Sequence, residues 1–76
     1  MGPGQVDGGE LNIELNGESK QLENGLDILS MVRSLGLDPG WVVIEHNLNA
    51  LDRRQWADTR LSDGDQVEIV RFMGGG

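Results

Sequence analysis

Apolar and polar residues alternate from Glu10 onward. Leu11, Ile13 and Leu15 are separated by Asn12 and Glu14, the period of a strand with one buried face. Asn16-Gly17 comes next, a strong short-range hairpin signal because both residues tolerate positive φ. Glu18 to Glu23 then reads as the returning strand, with Leu22 as its one large apolar residue. Asn24-Gly25 breaks it, and the period changes. Ile28, Met31, Val32 and Leu35 fall at i, i+3, i+4 and i+7, one apolar stripe of a helix. Asp27 is the expected N-cap, and Arg33 sits where the helix dipole favours a cation. Gly36 suits the left-handed C-terminal cap, with Leu37 as its apolar contact. Asp38-Pro39-Gly40 stops the helix.

The second half is denser in β-formers. Trp41 to Glu45 predicts a well-buried strand. Asn47 to Asn49 predicts a turn. A short strand near Ala50-Leu51 and a helical turn around Arg54-Gln55-Trp56 are expected next. Ser62-Asp63-Gly64-Asp65 is turn chemistry, and Val67, Ile69 and Val70 belong to a last strand running to Phe72. A sheet with one helix across one face buries both amphipathic patterns. The first and last strands are the natural central pair and are expected to be parallel, since the helix and third strand supply the long crossover. The fold class is therefore α+β: a β-grasp, or ubiquitin-like, mixed sheet of four to five strands with one main helix.

Composition narrows the chemistry. The chain has 76 residues, 13 acidic and 6 basic side chains, one His and no Cys, for a net charge of −7. One small domain is all this length supports. Without Cys there is no thiol nucleophile and no Cys-based zinc site, and a lone His builds no His-rich one. No metal site is expected. The acidic balance argues against nucleic acid, whose phosphates call for clustered Lys and Arg. Trp41-Val42-Val43-Ile44, the longest aliphatic and aromatic run, is too short to cross a bilayer. A cytoplasmic location, away from membranes, is the default.

Twelve glycines are the oddity. Four lie in residues 1–9, a stretch with little to bury, which reads as a disordered tail left by expression. Five internal ones fall at turns and the helix end. Gly74, Gly75 and Gly76 close the sequence. The domain expectation is thus a tail over 1–9, a β-grasp domain over 10–73 and a flexible glycine tail over 74–76. Terminal glycines are commonly plain flexible ends. Here they follow a strand with no polar linker between. Lacking side chains, they suit a narrow channel, and Met73 to Gly76 can span about 13 Å when extended.

Four stretches resemble the ThiS family, the sulfur carriers of thiamine biosynthesis. They are Leu11-Asn-Ile-Glu-Leu-Asn-Gly17, Leu35-Gly-Leu-Asp-Pro-Gly-Trp-Val-Val43, Arg53-Arg-Gln-Trp-Ala57 and the run from Leu61 to Gly76. The last is the most specific. Nine residues precede the family's usual start, and Asp27 to Arg33 is less Ala-rich than the family's helix.

The resemblance implies a protein co-substrate, not an enzyme, and no catalytic residue of its own. A ThiF-like adenylyltransferase, using ATP and Mg, would adenylate the Gly76 carboxylate. Sulfur from a cysteine desulfurase, carried as a persulfide, would displace AMP and leave a thiocarboxylate. A thiazole synthase would accept that sulfur. No cofactor would be held by the carrier itself, and sulfur on the main-chain terminus needs no cysteine. Gly74 and Gly75 would enter the partner's active site. Val70, Phe72 and Met73 would dock: Val67 and Ile69 share one face of the last strand, so Val70 and Phe72 share the other. Two alternatives stay open, a molybdopterin-synthase small-subunit-like carrier and a ubiquitin-like modifier or plain interaction module.

Other residues point to structure. His46 is expected to be an exposed polar residue. Trp41 and Trp56 are expected in the core or at its edge. Arg53-Arg54 reads as a solvated turn. Asp63-Gly64-Asp65 lacks the further ligands of a calcium loop.

Overall fold

The computed structural model describes residues 9–72. Expectations for 1–8 and for Met73, Gly74, Gly75 and Gly76 fall outside that range. The elements are β1 (Glu10–Leu15), β2 (Glu18–Glu23), α1 (Ile28–Ser34), β3 (Val42–His46), β4 (Asn49–Leu51) and β5 (Gln66–Arg71), with 3-10 turns over Pro39–Trp41 and Arg53–Asp58. The strands form one sheet in the order β2-β1-β5-β3-β4. β1 and β5 are the parallel pair, and β5 also runs antiparallel to β3. This is the β-grasp arrangement expected from the period-two and period-3.6 patterns.

Local chemistry sets the ends of these elements. Asn16 and Gly17 have φ of 52° and 85°, the positive values a two-residue hairpin turn with the sheet's own twist requires. Asp27 caps α1 by accepting the Ser30 N–H at 2.7 Å. Gly36, at φ 78°, ends the helix. Its N–H donates to Arg33 O and that of Leu37 to Val32 O, the paired bonds that satisfy a helix's last carbonyls. Seven residues make a helix marginal by itself. Packing holds it: Ile28, Met31 and Val32 are fully buried.

One core lies between α1 and the sheet. It contains Leu11, Ile13, Leu22, Val42, Ile44, Leu61 and Val67 with the helix stripe. Trp56 is the largest residue in it, and its indole N–H donates to Leu51 O at 3.2 Å. Leu35 lies one residue past α1 and is half-buried.

Four expectations are corrected. The segment Trp41 to Glu45 is not buried throughout: Val42 and Ile44 point into the core, whereas Trp41, Val43 and Glu45 are exposed. Trp41 is 49% exposed and is no core residue. His46 is not a free polar residue, since only 18% of its side chain is exposed and it pairs with Asp65. Arg53 also departs from a merely solvated turn. Its guanidinium lies 5.5 Å from the Trp56 ring centroid and reaches Val42 O.

Candidate functional site

β5 carries the chain to the residues of interest, and β5 is fixed from both sides. Its N-terminal half pairs with β1 at Glu14 opposite Gln66 and Leu15 opposite Val67. Beyond that, Asn16 takes over the role of a strand. Its backbone N–H donates to Val67 O at 2.9 Å. Its side chain accepts from Ile69 N at 2.7 Å and donates to Ile69 O at 3.3 Å. On the other side all of Val67–Arg71 pairs with β3.

The start of β5 is held by a polar knot. Asp65 is the one charged residue buried among the described residues. Its carboxylate accepts from Ser62 N at 2.9 Å and Asn47 Nδ2 at 3.2 Å, and lies 2.8 Å from His46 Nε2. An ionised carboxylate only accepts, so this contact places the proton on Nε2. Burial alone would raise the Asp65 pKa, but the bonds from His46, Ser62 and Asn47 outweigh it and hold the carboxyl below its ordinary value. Asn47, at φ 51°, accepts the Gln66 N–H through its side chain. The β3–β4 turn is thereby stitched to β5.

The end of β5 opens onto solvent. Val70 and Phe72 are exposed, as the alternation with Val67 and Ile69 implied. Val43 stands directly opposite Val70 and is also exposed. Phe72 N donates to Trp41 O at 3.0 Å, and the two rings pack with centroids 6.2 Å apart. Four large apolar residues, Trp41, Val43, Val70 and Phe72, thus form one patch on the face away from α1. Contiguous exposed apolar surface of this kind marks interaction sites.

Sequence reasoning named Val70 and Phe72 and missed Trp41 and Val43. The missed signal was the register itself: two strands that both end in exposed apolar residues expose them side by side. Met73, also named for docking, and Gly74, Gly75 and Gly76 lie outside the described residues. Among the described residues no cluster of His, Asp and Glu is arranged to hold a metal ion. No described helix is long and apolar enough to cross a membrane.

These features define a ubiquitin-like domain whose last strand ends beside an apolar patch. Residues 11–76 match the model of the ThiS family, and the chain belongs to that family, the sulfur carriers of thiamine biosynthesis. It is 31% identical over 65 residues to the sulfur carrier protein ThiS of Bacillus subtilis, covering 84% of this chain and 98% of that one. The crystal structure of the thiamine biosynthesis protein ThiS from Geobacter metallireducens superposes with a TM-score of 0.76 at 30% identity, covering 87% of this chain and all of that one. A thiazole synthase of Paramagnetospirillum magneticum is 32% identical over 66 residues, covering 87% of this chain. The chain spans only 20% of that longer protein's length, so a ThiS-like region lies within a thiazole synthase.

Proposed function

We propose that the chain carries sulfur on the carboxylate of Gly76. The carboxylate oxygen attacks the α-phosphorus of ATP in a ThiF-like adenylyltransferase, which supplies Mg, and pyrophosphate leaves. A persulfide, charged by a cysteine desulfurase, then attacks the acyl carbon, and AMP leaves. A thiol cleaves the resulting acyl disulfide, leaving a thiocarboxylate that is a better nucleophile than the original carboxylate. A thiazole synthase accepts the sulfur. In this scheme the carrier is a co-substrate without catalytic residues, and ATP stays with the partner.

The observation that carries this reading is the position of Phe72. It lies one residue past a central strand, its N–H donates to Trp41 O, and its ring stands in the apolar patch. The patch is the proposed docking surface, with Val70, Phe72 and Met73 flanking the departing tail. Gly74 and Gly75 then thread into the partner. Their lack of side chains suits a narrow channel. The ThiS-like region inside a thiazole synthase supports a partnership between the two activities.

Docking is tested by Phe72→Asp. Chain-dependent ATP–pyrophosphate exchange by the adenylyltransferase should be lost while the melting curve stays cooperative, because a 42% exposed ring contributes little to the core. Normal exchange by this variant would contradict docking through the patch.

A further inference from the structure

The face away from α1 holds an ordered series of cross-strand pairs. Trp41 packs on Phe72. Val43 stands opposite Val70, and two positions further along, Glu45 stands opposite Glu68. Reading away from the tail, the rungs are aromatic, aliphatic and acidic. At about 3.4 Å per residue the acidic rung lies about 14 Å from the aromatic one.

That acidic rung is unfavourable in the free domain, because like charges directly opposite weaken an antiparallel pair. Among the described residues, no outward strand position on this face relieves it. The outward strand positions hold Glu10, Glu14, Glu23, Glu45 and Glu68, and no Lys or Arg. Glu14 and Glu68 line one shallow recess on it, so the negative field extends past the pair itself.

We propose that this face selects a partner protein by charge as well as by apolar contact. The partner's tail-entry mouth carries an apolar shelf and, about 14 Å from it on the strand spacing, a cluster of Arg or Lys that meets Glu45 and Glu68. Such a cluster relieves the repulsion only in the complex and orients the domain so that its tail meets the channel. The charges act mainly on encounter and register, the apolar rungs on residence. A second copy of this chain is the wrong occupant, since its own face repeats the same carboxylates. The inference rests on docking through the Trp41–Phe72 patch and adds the partner's charge pattern to it.

The test is association with an immobilised ThiF-like adenylyltransferase, followed over a range of salt concentrations with EDTA present. The double variant Glu45→Gln, Glu68→Gln should associate about fivefold more slowly at low salt. Its rate should depend less on salt than wild type, its dissociation should be nearly unchanged, and its melting temperature should not fall. Equal association rates and equal salt slopes would overturn the charge proposal. Phe72→Ala in the same assay separates the two ideas. If it dissociates much faster while the glutamine variant matches wild type, docking stands and the charge proposal fails. If Phe72→Ala binds like wild type, the docking surface is wrong and the charge proposal falls with it.

Discussion

Asp65 concentrates the domain's buried charge. Its neighbours His46 and Asn47 come from the β3–β4 corner and Ser62 from the turn before β5, so one carboxylate ties that corner to the turn that opens β5. Its folded pKa is depressed. The associated stability is therefore complete above the unfolded carboxyl value of about 3.9 and is lost as pH falls through the lower folded value. Urea unfolding should report a decline for wild type below about pH 4. Asp65→Asn should be less stable at neutral pH by about 1–3 kcal/mol, the cost of leaving buried donors unmatched. Its acid decline should be shallower but not absent, because Asp27 is also depressed, chiefly by the Ser30 backbone N–H. An unchanged profile would mean that the knot contributes nothing. Local pattern could not reveal this network. His46 and Asp65 are 19 residues apart, and Asp65 reads in sequence as one more polar turn residue.

At the scale of elements, the β1–β2 turn does more than reverse the chain. Asn16 is the connection from β1 to the outer half of β5, through bonds to both backbone groups of Ile69. Asn16→Ala removes both bonds and leaves a Cβ-bearing residue without a side-chain bond at positive φ. It should cost about 1–2 kcal/mol in denaturant unfolding, and hydrogen exchange at Ile69 should accelerate more than at Val32 in α1. Equal acceleration at both sites would indicate global loosening instead. Asn-Gly announced its hairpin because the turn chemistry is local, and α1 was legible for the same reason. Its Asp27 cap, apolar stripe and Gly36 stop are all read within one short window. The outward half of Trp41 to Glu45 was not legible. Four consecutive large apolar residues look the same whether both faces of a strand are covered or one is left bare. Only the pairing of β3 with β5 decides between them.

For the molecule as a whole, one layer of helix covers one face of the sheet, and the other face carries carboxylates, uncharged polar residues and the apolar patch. A net charge of −7 over the chain disfavours polyanions as partners, and the proposed charge selection turns the same acidity toward a basic protein surface. The parallel β1–β5 pair puts the chain's last strand at the centre of the sheet, where both neighbours restrain its direction. Under the proposed function a small core is sufficient, because the domain has only to offer the chain beyond Phe72 to a partner. The family resemblance already pointed to the tail in the sequence. The position of Phe72 beside Trp41, one rung beyond the Val43–Val70 pair, depended on strand register.

Sulfur carriage through Gly76 is tested most directly by intact-mass spectrometry. The chain would be incubated with the ThiF-like adenylyltransferase, ATP, Mg, cysteine and a cysteine desulfurase, beside a variant lacking Gly76. Replacement of one carboxylate oxygen by sulfur is expected in the wild-type chain and none in the shortened one. A covalent adduct to another protein, an unchanged mass, or sulfur on the shortened chain would contradict the proposed mechanism.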